Sequence, residues 1–163
     1  MELDNDQNPY SPPQSKVDET PILAEEHTYR VYSPTQGSFG TFLGGPLPGI
    51  YFLKSNYEAM GDSEHSRSTL IWGALIFVVF VLLAPFTPER APKYVVPLVM
   101  AWTIRILIEK KQLSKAQIAT SDRYRFHSNW KVFGFSLLGA LITGVLVVGM
   151  LFLYFSLGIL PNA

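Results

Sequence analysis

The chain has no cysteine and only three histidines among its 163 residues. Without cysteine there is no disulfide framework, no thiolate metal site and no cysteine nucleophile. His27, His65 and His127 are far apart in the sequence and form no pair with metal-ligand spacing. The sequence therefore predicts neither a metal centre nor a cofactor.

The usual motifs of catalytic sites are also lacking. The stretch GGPLPG at residues 44–49 has neither the lysine nor the preceding strand that a phosphate-binding loop needs. The stretch GFSLLG at residues 134–139 has the wrong spacing for a nucleophile elbow. Since no serine, histidine and acid set stands out either, we expect a protein that is not an enzyme.

Charge is scarce and unevenly placed. Hydrophobic residues make up 48% of the chain and charged residues only 16%, which is more apolar than a soluble domain of this size. Residues 1–35 nevertheless hold seven acidic residues, two basic residues and five prolines. We therefore predict a polar, proline-rich, disordered tail at 1–35, followed by a membrane domain at 36–160.

Three apolar runs predict transmembrane helices. Residues 69–86 contain no charge over 18 positions, which at about 1.5 Å per residue approaches the roughly 30 Å of a bilayer's hydrocarbon core. Residues 132–160 form a longer uncharged run. Residues 94–108 form a shorter one, interrupted by Pro97 and Arg105. The predicted fold class is all-α, a small polytopic helical membrane bundle with a disordered N-terminal tail.

Positive charge predicts the orientation of this bundle. Basic residues outnumber acidic ones seven to two between positions 105 and 131. Loops rich in lysine and arginine stay in the cytoplasm, so we expect the 109–131 loop to lie there against anionic lipid and not to bind nucleic acid. The basic residues are Arg105, Lys110, Lys111, Lys115, Arg123, Arg125 and Lys131.

The segment at 36–55 combines small residues with helix breakers. A kinked membrane span and a re-entrant pair of half-helices both fit this composition. We prefer the kinked span, which would put the tail outside the cell. Its candidate packing residues are Gly37, Thr41, Gly44, Gly45, Pro46, Pro48 and Gly49.

A second stripe of small residues, Ser136, Ala140 and Gly144, recurs every four positions in the last run. Such stripes let helices approach closely. Packing within the chain is the simpler interpretation of both sets, and a face for another protein is the alternative.

Several stretches together resemble a family of small bacterial inner-membrane proteins. They are NPYSPP in the tail, YSPTQ at 32–36, TFLGGPLPG at 41–49 and LKSNYEAMG at 53–61. The likeness continues through VVPLVMAWTIR at 95–105 and SNWKV at 128–132. This resemblance implies an inner-membrane location in a bacterium and brings no catalytic residues with it.

Three functions are compatible with these features. The first is a non-enzymatic membrane protein that associates with itself or with another membrane protein through its small-residue faces. The second is a channel or transporter component with a site at the broken segment 44–48. The third is a membrane-embedded immunity or accessory factor.

Overall fold

A computed structural model describes residues 28–87, 92 and 94–159. Helices account for most of these residues, so the predicted helical fold is confirmed, with two short strands in addition. The elements in chain order are β1 (Tyr29–Val31), α1 (Pro34–Gly44), α2 (Pro46–Ala59), α3 (Ser63–Leu83) with a 3₁₀ turn (Ala84–Phe86), α4 (Val95–Lys111), α5 (Lys115–Ala119), β2 (Tyr124–Phe126) and α6 (Asn129–Ser156).

The predicted boundary of the disordered tail at residue 35 is wrong. Residues 1–27 lie outside the described residues. From Tyr29, however, the chain forms β1, which pairs in parallel with β2 so that Val31 lies opposite Phe126. Helix α1 then begins at Pro34. These residues are held in place by pairing with a strand almost a hundred residues away in the sequence. The composition of a short segment does not predict such a distant contact.

The segment between residues 34 and 59 is a helical hairpin and not one kinked helix, which corrects the preferred expectation. Gly40 of α1 faces the Phe52 ring of α2, and Gly44 faces Pro48. At the open end of the hairpin, Asn56 hydrogen-bonds to the backbone of Tyr32. In these pairs, residues progressively later in α2 contact residues progressively earlier in the α1 segment, so α2 runs antiparallel to α1. Residues 34–59 are called the α1–α2 hairpin below.

The longer helices surround this hairpin. Helices α4 and α6 pack on α1, and α3 packs on α2. The end of the bundle that contains Tyr32, Asn56, Gln112 and His127 is called the polar end. At the opposite, distal end, the Tyr154 hydroxyl of α6 donates to the Leu82 carbonyl oxygen at 3.2 Å.

The hairpin reaches about half the height of the bundle. Helix α6 has 28 residues, and the hairpin tip contacts it at Thr143, the fifteenth of them. Helix α2, with 14 residues, is about 21 Å long, whereas α6 is about 42 Å long. The tip therefore lies deep inside the bundle, far from both ends of α6.

Two helices are long and apolar enough to cross a membrane by length and composition. They are Ser63–Phe86, with a mean hydropathy of 2.5, and Asn129–Ser156, with 2.4. Helix α4 is shorter, with 17 residues. Pro97 does not interrupt it, because Pro97 lies in its first turn, where no backbone N–H bonds within the helix. The predicted helices at 69–86, 94–108 and 132–160 correspond to α3, α4 and α6.

Little apolar surface is buried in this arrangement. The fully buried hydrophobic side chains lie mainly at the polar end, where Tyr32, Phe52 and Val132 form a cluster. Along the outside of α6, by contrast, Leu141 is 65% exposed and Phe152 is 76% exposed. The exterior of the long helices is thus more apolar than the interface around the hairpin.

Candidate functional site

The hairpin tip is built so that a helix can begin inside the bundle. Gly45 links the two helices with φ of 77°, a left-handed conformation that favours glycine, and donates its N–H to the Thr41 carbonyl oxygen. Helix α2 begins at Pro46, and Pro48 follows two positions later. Neither proline has an N–H, so Leu47 alone brings an unused backbone donor to this first turn. The two prolines therefore reduce the number of donors that would be left unbonded at the tip.

The predicted small residues of 36–55 pack against neighbouring helices of the same chain. A Cβ at Gly37 would overlap the Ile108 side chain of α4. At Gly44 it would overlap the Ser136 carbonyl oxygen of α6, and at Gly49 it would lie 2.5 Å from the Thr41 hydroxyl. Thr41 is itself buried and donates its hydroxyl to the Gly37 carbonyl oxygen at 2.7 Å. These small residues do not form one continuous face, because the chain reverses at Gly45.

The stripe on α6 is partly different from the predicted one. Ser136 is fully buried against the hairpin, as is Gly139, where a Cβ would overlap the Pro48 ring. Ala140 is partly buried, but Gly144 is exposed, with nothing within 4 Å of its Cβ position. The residues that face the tip are Ser136, Gly139 and Thr143, at spacings of three and four. Residues that recur every four positions, such as Ser136, Ala140 and Gly144, turn gradually away from this face because an α-helix has 3.6 residues per turn.

A buried polar network closes the polar end. Asn56 is fully buried, accepts the Tyr32 N–H at 2.7 Å and donates to the Tyr32 carbonyl oxygen at 2.9 Å. It also donates to the Gln112 side chain at 2.8 Å, and Gln112 donates in turn to the Leu53 carbonyl oxygen. This network joins the start of α1, the end of α2 and the end of α4. No pattern in the sequence predicts this network, since an isolated asparagine has no periodic signal.

Gln36 ties α1 to the start of α6. With Ser33 it forms a capping box at the N-terminus of α1. Its side-chain nitrogen also donates to the His127 carbonyl oxygen at 2.7 Å and to the Asn129 side chain at 2.8 Å. The spacing Ser33 to Gln36 is a known sign of a helix start and could have located α1 from the sequence.

His127 is held in a partly buried, electropositive place. Its ring stacks on Tyr32 with centroids 4.2 Å apart, and its Nδ1 is buried with no hydrogen-bond partner among the described residues. Burial lowers the pKa of His127, and the nearby positive charges of Lys131 and Arg30 lower it further. Burial also raises the pKa of Tyr32. Both rings are therefore kept neutral.

A groove runs between α3 and α4, with the hairpin as its floor. Helices α3 and α4 each pack on the hairpin rather than on one another in the described part of the chain. The cavity between them has a volume of about 450 Å³ and is open to the side. Apolar side chains dominate its lining, which includes Ile50 on the floor, Trp72 and Ile76 on α3, and Met100, Ile104 and Leu107 on α4.

The predicted basic residues are exposed, and all but Arg105 lie at or next to the polar end. Arg105 lies nearer the middle of α4 and therefore further from the polar end. It is half exposed, and its Nε lies 3.9 Å from the Glu109 carboxylate. Lys110 and Lys111 end α4, Lys115 begins α5 and Lys131 follows at the start of α6. Arg123 and Arg125 lie beside and within β2. The segment 109–131 is thus not a plain loop but contains α5 and β2 as well as the ends of α4 and α6.

Among the described residues, no three or more histidine, aspartate or glutamate side chains form a group that could hold a metal ion. No family model, no curated protein and no solved structure matches this chain. The hairpin, the groove and the distribution of charge are therefore the features that bear on the function of this chain.

Proposed function

We propose that this chain is a multi-pass integral protein of a bacterial inner membrane that has no enzymatic activity. Helices α3, α4 and α6 would cross the bilayer. The α1–α2 hairpin would enter from the polar end and turn back near the middle. The bacterial inner membrane is proposed from the resemblance of the sequence motifs.

The observation that carries this proposal is the apolar exterior of the long helices. On α6, the side chains of Leu141, Val145 and Val148 are each 65% exposed. On α4, Trp102 is 64% exposed and Val99 is 59% exposed. Soluble monomers rarely leave contiguous apolar patches larger than a few hundred Å² in water. Lipid is the solvent in which such side chains are stable.

Charge and the hairpin together suggest the orientation. Six of the seven predicted basic residues lie at or next to the polar end, which favours its placement in the cytoplasm. Because the hairpin returns to the end at which it began, the N-terminal tail would start on that same side. This replaces the preferred outside location of the tail.

We propose further that the protein acts by associating with another component of the membrane at the groove between α3 and α4. The small residues considered first for this role, Gly37, Gly44, Gly49 and Ser136, are occupied by contacts inside the chain. The groove, by contrast, is open and apolar. Association with a membrane-protein partner or a second copy would therefore need a surface other than those glycines.

Cysteine labelling tests the membrane arrangement, because the chain has no native cysteine. Single variants Asp122→Cys at the polar end and Thr87→Cys at the distal end are treated in intact cells with a membrane-impermeant maleimide. We expect labelling at residue 87 and protection at residue 122 until the cells are permeabilised. A third variant, Ser11→Cys, is expected to be protected like residue 122.

Labelling of both Thr87→Cys and Asp122→Cys in intact cells would refute the proposed crossing. Labelling at residue 11 but not at residue 122 would refute the re-entrant hairpin, while leaving the three crossings intact.

Transport is a second candidate function, and one residue favours it. The Thr143 hydroxyl is buried, has no hydrogen-bond partner among the described residues, and lies beside Gly45 at the hairpin tip. A polar group at such a depth can line a path for an ion. Flux into proteoliposomes that Thr143→Val reduces would support this candidate, and flux no greater than in empty liposomes would dismiss it.

A further inference from the structure

Along most of the groove between α3 and α4, the only polar side chains of the described lining are Thr41 and Thr103, whose hydroxyls donate to carbonyl oxygens of their own helices. The apolar part of the lining includes Ile50, Ile76, Met100 and Ile104. The polar side chains of His65 and Ser68, by contrast, lie in the first two turns of α3, next to the polar end. An occupant would therefore need a long apolar part and a polar group at one end.

The size of the groove suits part of a lipid molecule. Its volume of about 450 Å³ is within the usual range of small-ligand sites. The groove is also open to the side, and in a bilayer that side faces lipid, so a hydrocarbon chain can enter it directly.

Positive charge lies at the polar end of the groove. The α4 wall is formed by residues at helical spacing, Met100, Ile104 and Leu107, and the next turn of the same stripe carries Lys110 and Lys111. No carboxylate in the described part of the chain lies within 4.0 Å of either ammonium group.

Three of the described carboxylates have partners of their own, whereas Glu64 and Asp122 form no ion pair with a described residue. Glu58 pairs with Lys54 and Asp62 with His65, and Glu109 approaches Arg105. Lys110 and Lys111 are therefore available to an external anion.

We infer that this groove binds an anionic glycerophospholipid of the surrounding bilayer. One acyl chain lies along Ile50 and Ile104, and the phosphate lies at the polar end near Lys110, Lys111 and Ser68. Basic pockets between transmembrane helices on the cytoplasmic side bind lipid headgroups by the same combination of charge and apolar contact. The inference rests on the proposed membrane location and identifies the component that the groove binds.

Lipid titration followed by native mass spectrometry tests this inference. Protein purified in a mild detergent is titrated with phosphatidylglycerol and, separately, with phosphatidylethanolamine of the same chain length. We expect one tightly bound phosphatidylglycerol and weaker phosphatidylethanolamine binding. The double variant Lys110→Gln, Lys111→Gln should raise the apparent Kd for phosphatidylglycerol about thirtyfold, since each lysine near a headgroup contributes a factor of slightly more than about five.

Two matched pairs separate the groove from general surface effects. Lys115→Gln combined with Lys131→Gln removes the same charge at the polar end, away from the groove, and should leave the Kd unchanged.

Ser68→Phe obstructs the polar end of the groove, whereas Ala74→Phe adds the same ring at an exposed position of α3 that does not line it. We expect only Ser68→Phe to weaken binding, by tenfold or more. If Ser68→Phe does not fold as judged by gel filtration, Ser68→Leu takes its place.

Equal Kd values for the two lipids, or an unchanged Kd in both Ser68→Phe and the Lys110, Lys111 double variant, would overturn the inference. Equal weakening by both double lysine variants would also overturn it, because only general surface charge would then be involved. The cysteine-labelling result stands apart from these outcomes. Correct labelling with no lipid preference rejects the lipid site alone, and incorrect labelling rejects the membrane arrangement.

Discussion

Asn56 and Tyr32 are joined by two hydrogen bonds between the Asn56 side-chain amide and the Tyr32 main chain. The Tyr32 N–H donates to Asn56 Oδ1 at 2.7 Å, and Asn56 Nδ2 donates to the Tyr32 carbonyl oxygen at 2.9 Å. Tyr32 lies between the end of β1 and the start of α1. The Asn56 amide thus supplies both of the hydrogen bonds that a neighbouring strand would make to the Tyr32 main chain. Because the site is fully buried, water cannot replace these bonds.

Replacing this asparagine should therefore weaken the fold. Asn56→Leu keeps the approximate size but leaves the Tyr32 N–H and carbonyl buried without partners. We expect the free energy of unfolding to fall by about 3 kcal/mol, measured by denaturation in mixed micelles. Asn129→Leu, at an exposed asparagine with one side-chain bond to Gln36, is the control and should change it by less than about 1 kcal/mol. Similar losses in both variants would contradict the special role of Asn56.

Two glycines of α6 should respond oppositely to alanine. Gly139→Ala forces a methyl group into the Pro48 ring and should destabilise the protein by about 1 to 3 kcal/mol. Gly144→Ala meets open space, so it should be neutral or stabilising by up to about 1 kcal/mol through helix propensity. The same unfolding measurement compares them. A larger loss at Gly144 would mean that the fourfold stripe, and not the hairpin contact, is the important face.

The two prolines at positions N3 of their helices should also differ. Pro48→Ala introduces a backbone N–H at the buried tip and removes the ring that packs on Gly44 and Gly139. Pro97→Ala introduces one at the start of α4, where the side chain is only partly buried. We expect a loss of about 2 kcal/mol for Pro48→Ala and less than about 1 kcal/mol for Pro97→Ala. Equal effects would argue that the tip tolerates an additional donor.

Acidification should weaken the fold through His127. Its pKa is lowered in the folded protein from an ordinary value of 6.5. Below pH 6.5 the unfolded chain therefore binds a proton that the folded protein does not, and the free energy of unfolding decreases as pH falls through this window. The thermal midpoint in detergent should be lower at pH 5.0 than at pH 7.5. His127→Phe, which keeps a ring beside Tyr32, should reduce this difference. An unchanged pH dependence in His127→Phe would reject this origin.

The helices were predictable from the sequence because their signal is local. An uncharged run such as residues 69–86 indicates α3 whatever it packs against, since length and hydropathy suffice. The breakers Gly45, Pro46 and Pro48 likewise indicated that 36–55 is not a regular helix. They did not decide between a kink and a reversal. Both geometries use glycine and proline, and only the contacts of Gly40 with Phe52 and of Asn56 with Tyr32 select the reversal.

The amino-acid sequence by itself determined that the chain is helical, where most helices lie and where positive charge accumulates. Tertiary structure decided which side of each helix is used. Gly139 and Gly144 are the same residue type with similar sequence neighbours, yet Gly139 contacts the hairpin and Gly144 does not. The groove exists because α3 and α4 pack on the hairpin rather than on one another. Such features depend on how distant segments approach in space, and that information is not contained in any local pattern of residues.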